Sequence, residues 1–363
     1  MNPSLEARAR EILAGVIDPH TGKDLVSGGA LRGVGVSGTD VSVDIVLGYP
    51  ALSVQGSLAD AARRALEADP AIAHAAVGVS FRVVPHEVQQ GLTPLPGVKN
   101  VIAVASGKGG VGKSTVAANL ALALQAEGAS VGVLDADIYG PSQVRMLGLE
   151  GKPDTKDGKR IEPKRNHGLQ AMSIGLMVEE DTAMIWRGPM ATQALQQLLG
   201  ETNWSELDYL VIDLPPGTGD IQLTLCQRIP VSGALIVTTP QDIALLDAKK
   251  ALKMFEKVKV PVLGIVENMA THVCTRCGHE EHVFGEGGGA RMAAQYDVPL
   301  LGSLPLDIRI REHADAGTPT VAAMPDSDLA GRYREIARNA AARLALRARN
   351  KAFGMPKIVV QNT

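Results

Sequence analysis

The sequence predicts an α/β fold: a mainly parallel sheet with helices on both faces, preceded by a small α+β domain. Three observations carry that prediction. From residue 101 onward, short apolar runs alternate with helix-like stretches, the pattern of βα units stacked into a buried parallel sheet. The first of these runs, residues 101–105, leads directly into a loop that holds four glycines within six residues, 107–112, and then into a helix-like stretch. Finally, residues 89–97 carry the Pro/Gly punctuation of a linker, which sets the preceding residues apart as a unit of their own.

Taken in order, residues 5–15 carry helical apolar spacing. Residues 31–36 and 41–47 read as strands, the second alternating Val41, Val43, Ile45 and Leu47. A second helix fits 57–68 and a last strand fits 75–84, completing a small domain over 1–88. Residues 89–99 are the linker. The large domain spans 100–350, with strands at 101–105, 130–134, 209–214, 234–238, 262–266 and 299–302 and a helix over 113–127. The polar stretch 150–168 reads as a loop or small hairpin. Residues 328–351 are helical in pattern and carry seven Arg and Lys residues from Arg332 to Lys351. Their Ala and Leu spacing favours docking on the protein's own sheet, with membrane or partner contact as the alternative. Residues 351–363 read as a tail, with an added strand over 356–363 as the alternative, and no internal repeat is present.

Composition narrows the class. At 363 residues the chain accommodates one large domain and a smaller one, and its core is aliphatic because only 3% of residues are aromatic. A net charge of −3 gives no general case for nucleic acid binding. No apolar run approaches the ~20 residues that cross a bilayer, and the N-terminus lacks a signal-peptide pattern. Three cysteines are too few for a disulfide framework. The expectation is a cytoplasmic protein that uses neither membrane nor nucleic acid.

The glycine-rich loop carries the chemistry. Gly107, Lys108, Gly109, Gly110, Val111, Gly112, Lys113, Ser114 and Thr115 contain G-x-x-x-x-G-K-[ST], the phosphate-cradling P-loop signature. Glycines let successive backbone N–H groups turn inward around phosphate oxygens. The helix that follows points its positive N-terminus at the same anion. Lys113 is expected on the β- and γ-phosphates and Ser114 on Mg²⁺. Lys108, one residue after the first glycine, marks a deviant form of the loop, and a lysine there does not easily bend back to its own chain's nucleotide. A plain solvated lysine is the alternative.

Two later segments complete a nucleotide site. Tyr209-Leu-Val-Ile-Asp213 is an apolar strand ending in a carboxylate, as a Walker B element requires to order Mg²⁺. The turn Leu214-Pro-Pro-Gly-Thr-Gly-Asp220 follows, and in it the Gly217 N–H is expected on the γ-phosphate, releasing when that phosphate leaves. In Val133-Leu-Asp-Ala-Asp137, Asp135 is assigned to the Mg²⁺ environment and Asp137 to activation of the attacking water. Helix capping is the alternative for either one.

Cys274-Thr-Arg-Cys277-Gly278 places two thiolates where they can grip one soft metal or a cluster edge. One chain supplies only this pair, since Cys226 falls in a helix-like stretch as a small buried hydrophobe, so a closed four-thiolate site requires two subunits. A zinc site that also uses His279 and His282, and a redox dithiol, are the alternatives.

Together, S-G-K-G-G-V-G-K-S-T, L-D-A-D-I-Y-G-P-S and I-D-L-P-P-G-T-G-D resemble the Mrp/ApbC family of iron–sulfur cluster carrier ATPases, relatives of MinD, ParA and the nitrogenase iron protein. The resemblance covers residues 95–350. More weakly, residues 1–85 with Val16-Ile-Asp-Pro19 resemble the small domain of SufT-type assembly proteins. The resemblance implies ATP as the nucleotide, with Lys108 reaching across a homodimer and Asn268, of the Glu267-Asn-Met269 run, beside the adenine. It also implies a labile [4Fe–4S] cluster shared between the Cys274/Cys277 pairs of two subunits, with cluster donors and apo iron–sulfur proteins as partners. The expected function is therefore slow ATP hydrolysis coupled to cluster carriage. Two rivals stand beside it: a MinD/ParA-like positioning or partition ATPase with a structural C-x-x-C, and an electron-transfer reductase.

Overall fold

In a computed structural model, residues 4–155, 158–177, 188–274 and 276–348 are described. The small domain begins with α1 (Leu5–Leu13), which Ser4 caps by accepting from the Ala7 N–H. There follow β1 (Leu31–Ser37), β2 (Asp40–Leu47), α2 (Gln55–Glu67) and β3 (His74–Phe81). β1 and β2 pair antiparallel, while β2 and β3 pair parallel across the crossover made by α2. The period-two pattern of β2 turns Val41, Val43, Ile45 and Leu47 onto one face, where they are buried with Leu58, Ala62 and Leu66 of α2 and Ala9 and Leu13 of α1.

The large domain opens with β4 (Val98–Ser106), which begins two residues inside the segment read as linker. It continues through α3 (Lys113–Ala126), β5 (Val131–Asp135), α4 (Gln143–Met146), β6 (Lys164–Asn166), β7 (Leu169–Ser173) and α5 (Gly188–Glu201). Next come β8 (Leu207–Asp213), α6 (Asp220–Arg228), β9 (Gly233–Thr238), α7 (Asp242–Lys257) and β10 (Val262–Glu267). The chain then forms a hairpin of β11 (His272–Val273) and β12 (Glu280–Glu281), followed by α8 (Gly288–Tyr296), β13 (Leu300–Ser303), α9 (Ile308–Asp315), α10 (Thr320–Ala323) and α11 (Asp328–Ala345).

Eight strands form the main sheet in the order β13-β10-β9-β4-β8-β5-β7-β6. Every neighbouring pair is parallel except β6 with β7 at the edge. β5 and β9 are buried along their whole length and β8 nearly so, as expected of strands covered by helices on both faces. The 150–168 stretch does contain the start of a hairpin, but its second arm, β7, was not foreseen as a strand. β7 pairs with β5 from Gly132↔Gln170 to Asp135↔Ser173 and widens the sheet beyond the predicted set.

Two features hold the small domain against the large one. Both come from α11, which itself docks on the large domain's α3 and β13 with Tyr333, Ile336, Ala337 and Ala341 buried, the outcome that its spacing favoured. Its Arg338 Nη1 lies 2.5 Å from Glu127 Oε1, just past the end of α3, and 2.9 Å from the Ser53 hydroxyl of the small domain. His20 of the small domain meets Asn339 across the same seam, Nδ1 to Oδ1 at 3.0 Å. β4 and its loop lie mid-sheet, where the chain passes to β5 on one side and later to β9 on the other. Open α/β sheets bind ligands at the carboxyl ends of their strands at such a point.

Candidate nucleotide site and cysteine hairpin

The loop between β4 and α3 takes its shape from its glycines. Gly110 and Gly112 sit at φ 80° and 82°, a region open to glycine and strained for other residues. Gly107 meets a different demand, because a Cβ there would lie 2.1 Å from the backbone carbonyl carbon of Asp247 in α7. A buried carboxamide supports the loop from beneath: Asn268 Nδ2 donates to the Val111 carbonyl at 2.9 Å. Gly112 caps α3, leaving the first-turn N–H groups directed at the space above the loop. Among the described residues, the N–H groups of Gly109, Gly110, Val111 and Gly112 donate to no acceptor. Together with the helix N-terminus, they make a cradle that fits an anion.

The carboxylates converge beside it. Lys113 Nζ lies 2.5 Å from Asp213 Oδ1, 3.6 Å from Asp137 Oδ2 and 3.1 Å from the Ser114 hydroxyl. Asp135 accepts from the N–H groups of Asp137 at 3.1 Å and Gln143 at 3.0 Å and from the Ser173 hydroxyl at 3.1 Å. Burial, and then the Asp213 charge, raise its carboxyl to about 7. Burial also raises Asp137, although the Lys113 ammonium opposes this. Three buried carboxylates thus face one lysine. A hard divalent cation bound by oxygen is the group that such an excess of negative charge fits. The residues expected to hold Mg²⁺, namely Ser114, Asp135 and Asp213, therefore fit it.

The remaining predicted residues surround this cluster. The Gly217 N–H, expected on a γ-phosphate, here donates to the Ser106 carbonyl at 3.0 Å. Asn268 donates one of its two amide hydrogens to the P-loop. Lys108 is half-buried at the loop rim and forms no ion pair among the described residues. Sequence reasoning missed Gln143 altogether. It is buried, and its Nε2 donates to both the Ser114 carbonyl and Asp213 Oδ2 at 2.9 Å. No motif flags it, and only its position directly after Gly140-Pro-Ser142 hinted at a role.

The cysteine pair sits in the β11–β12 hairpin, a short way beyond the end of β10. The Cys274 N–H donates to the His279 carbonyl at 2.8 Å and the Gly278 N–H to the Cys274 carbonyl at 2.9 Å. Gly278, at φ 71°, supplies the left-handed turn. Backbone N–H groups of Arg276 and Cys277 point at the Cys274 sulfur and, with the neighbouring thiol, lower its pKa. Cys277 is exposed. Among the described residues no further His, Cys, Asp or Glu side chain joins the two thiols in a metal-holding group. His282 instead turns its Nδ1 to the Ala270 carbonyl at 3.1 Å. Cys226 is buried in α6, and burial pushes its thiol up to about 12, as befits a packing residue.

This parallel sheet, glycine loop and buried carboxylate cluster define a P-loop nucleotide-binding protein with an attached small α+β domain. A family model described as NUBPL iron-transfer P-loop NTPase matches residues 97–341, and the chain belongs to that family. A second, described as iron–sulfur cluster assembly protein, matches residues 6–79. The chain is 50% identical to an iron–sulfur cluster carrier protein of Haemophilus influenzae over 331 residues, 91% of this chain and 90% of that one. A protein of the same name from Salmonella typhimurium is 63% identical over 249 residues, 68% of each chain. The iron–sulfur cluster transfer protein NUBPL of Mus musculus is 51% identical over 253 residues, 69% of this chain and 79% of that one. Among solved structures, a nucleotide-binding protein from Archaeoglobus fulgidus in complex with ADP matches with TM-score 0.55 and 39% identity, covering 64% of this chain and 90% of that one. No helix among the described residues is long and apolar enough to cross a membrane.

Proposed function

We propose that this protein is an ATP-hydrolysing iron–sulfur cluster carrier, acting in the cytoplasm as a homodimer that holds a labile [4Fe–4S] cluster between the Cys274 and Cys277 pairs of two subunits and delivers it to apo-proteins. One observation carries the reading. Asn268, at the end of β10, is bonded to the P-loop through Val111, and the same stretch of chain runs on into the cysteine hairpin. Nucleotide site and thiol site are thus mounted on one strand end. The names and identities of the relatives support cluster carriage. The thiol count supports sharing, because two cysteines per chain leave a four-thiolate site half built.

The residues divide the work as follows. P-loop N–H groups and Lys113 grip the phosphates, and Asp137 orients the attacking water. A bound Mg²⁺ would neutralise charge on the phosphate oxygens. Ser114, Asp135 and Asp213 would hold it. Lys108, which forms no ion pair among the described residues, would reach the other subunit's nucleotide. The turn at Gly217, bonded to Ser106, would exchange that bond for the γ-phosphate.

The test is anaerobic reconstitution of the protein, with iron, sulfide and zinc quantified per dimer. Wild type should take up four irons and four sulfides per two chains, and Cys274→Ala and Cys277→Ala should take up none. A monomer that retains zinc without sulfide would refute the reading.

A further inference from the structure

Gln143 opens α4, just after the segment that carries Asp135 and Asp137. A glutamine at the start of a short surface helix would ordinarily reach into water, but this one is 1% exposed. Its Nε2 donates to Asp213 Oδ2 and to the Ser114 carbonyl, both at 2.9 Å, and its backbone N–H donates to Asp135 Oδ2 at 3.0 Å. One residue therefore touches both carboxylates assigned to the metal and the backbone of the serine beside them. Because both neighbours of Nε2 are oxygens that only accept, the amide has one orientation. Oε1 then faces away from them, buried and with no donor among the described residues. The group for which this site has surplus negative charge is a divalent cation.

We propose that Gln143 is a positioning residue of the metal site, fixing Asp213 and Asp135 against Ser114. It thereby sets the divalent-cation affinity of the nucleotide complex. The inference rests on the nucleotide reading above and adds a residue to it. It also gives the segment from Asp137 to Gln143 a direct mechanical hold on the carboxylates, since α4 cannot shift without moving the amide.

Gln143→Met keeps length and apolar volume and removes both the donor and the acceptor. Mn²⁺ is titrated into ADP-loaded protein and followed by electron paramagnetic resonance, and a fluorescent ADP analogue is titrated separately in EDTA. The expected result is Mn²⁺ affinity weakened roughly 10- to 100-fold, the range for losing a partner of a metal ligand, with metal-free ADP affinity unchanged. Gln143→Asn, whose amide is too short to bridge, should behave alike and serves if the methionine variant does not fold. Unchanged Mn²⁺ affinity would overturn the proposal, and so would an equal loss of metal-free ADP binding, which would mean a general packing role. Wild type failing to bind ADP under either condition would overturn the nucleotide reading, and this inference with it.

Discussion

Arg338 of the last helix and Glu127 at the end of the P-loop helix form an ion pair at 2.5 Å in which the carboxylate is fully buried and the guanidinium nearly so. Ser53 of the small domain completes it, its hydroxyl 2.6 Å and its N–H 3.0 Å from the Glu127 carboxylate. A buried pair of this kind contributes little against an apolar replacement, yet is costly to break from one side. Arg338→Leu should therefore lower unfolding stability by about 3–5 kcal/mol. The double variant Glu127→Leu/Arg338→Leu should recover most of that loss. A denaturant double-mutant cycle measures both, and additive losses would refute the account.

Among the described residues, Lys113 is the one ammonium beside three carboxylates. Lys113→Ala removes a positive charge from the phosphate site and leaves Asp213 and Asp137 without their nearest cation. ATP turnover should fall on the order of 100-fold or more, as when a stabilising donor is deleted from a reaction centre. Steady-state phosphate release measures it. A variant that keeps most of the wild-type rate would show that Lys113 is structural.

The pH response follows from Asp135, whose carboxyl is raised to about 7 by burial and by Asp213. An unfolded aspartate titrates near 4, so between about 4 and about 7 the folded state holds a proton that the unfolded chain has released. Stability of the metal-free protein should thus fall as pH rises through that window, then level off above it. Asp135→Asn should flatten the slope. Thermal melts in EDTA from pH 4.5 to 8 test this, and a wild-type curve that rises across the window would contradict it.

The three thiols should separate by reactivity. N–H groups of Arg276 and Cys277 favour the Cys274 thiolate, whereas burial holds Cys226 as a thiol. With iodoacetamide under reducing conditions, Cys274 should be alkylated below the pH at which an ordinary thiol reacts. Cys226 should stay unmodified until the protein unfolds. Peptide mass spectrometry over a pH series reads both, and early labelling of Cys226 would count against the buried placement.

Those parts of the molecule whose chemistry is written in consecutive residues were legible in the sequence. The P-loop, the strand ending in Asp213 and the alternation of β2 each carry their own pattern. What was not legible depends on partners distant in the chain. β7 reads Leu-Gln-Ala-Met-Ser and has no apolar run; it becomes a strand because β5 offers it an edge and the sheet buries it. Gln143 belongs to no motif, and its role exists only because the fold brings Asp213 and Ser114 to its amide. Gly107 is a loop glycine in the sequence, and only the backbone of α7 reveals the second reason for it. The bond from Asn268 to the Val111 carbonyl was equally invisible, because it joins residues far apart in the chain.

The bond from Asn268 to Val111 has a thermodynamic corollary. If whatever occupies the thiols shifts the end of β10 and so alters the loop's grip on ATP, then ATP must alter the thiols' hold on their cargo by the same factor, since the two binding free energies share one cycle. Loaded and empty forms of the protein should then differ in nucleotide affinity by as much as cargo affinity differs with and without nucleotide, and cutting that single amide contact should shrink both differences together.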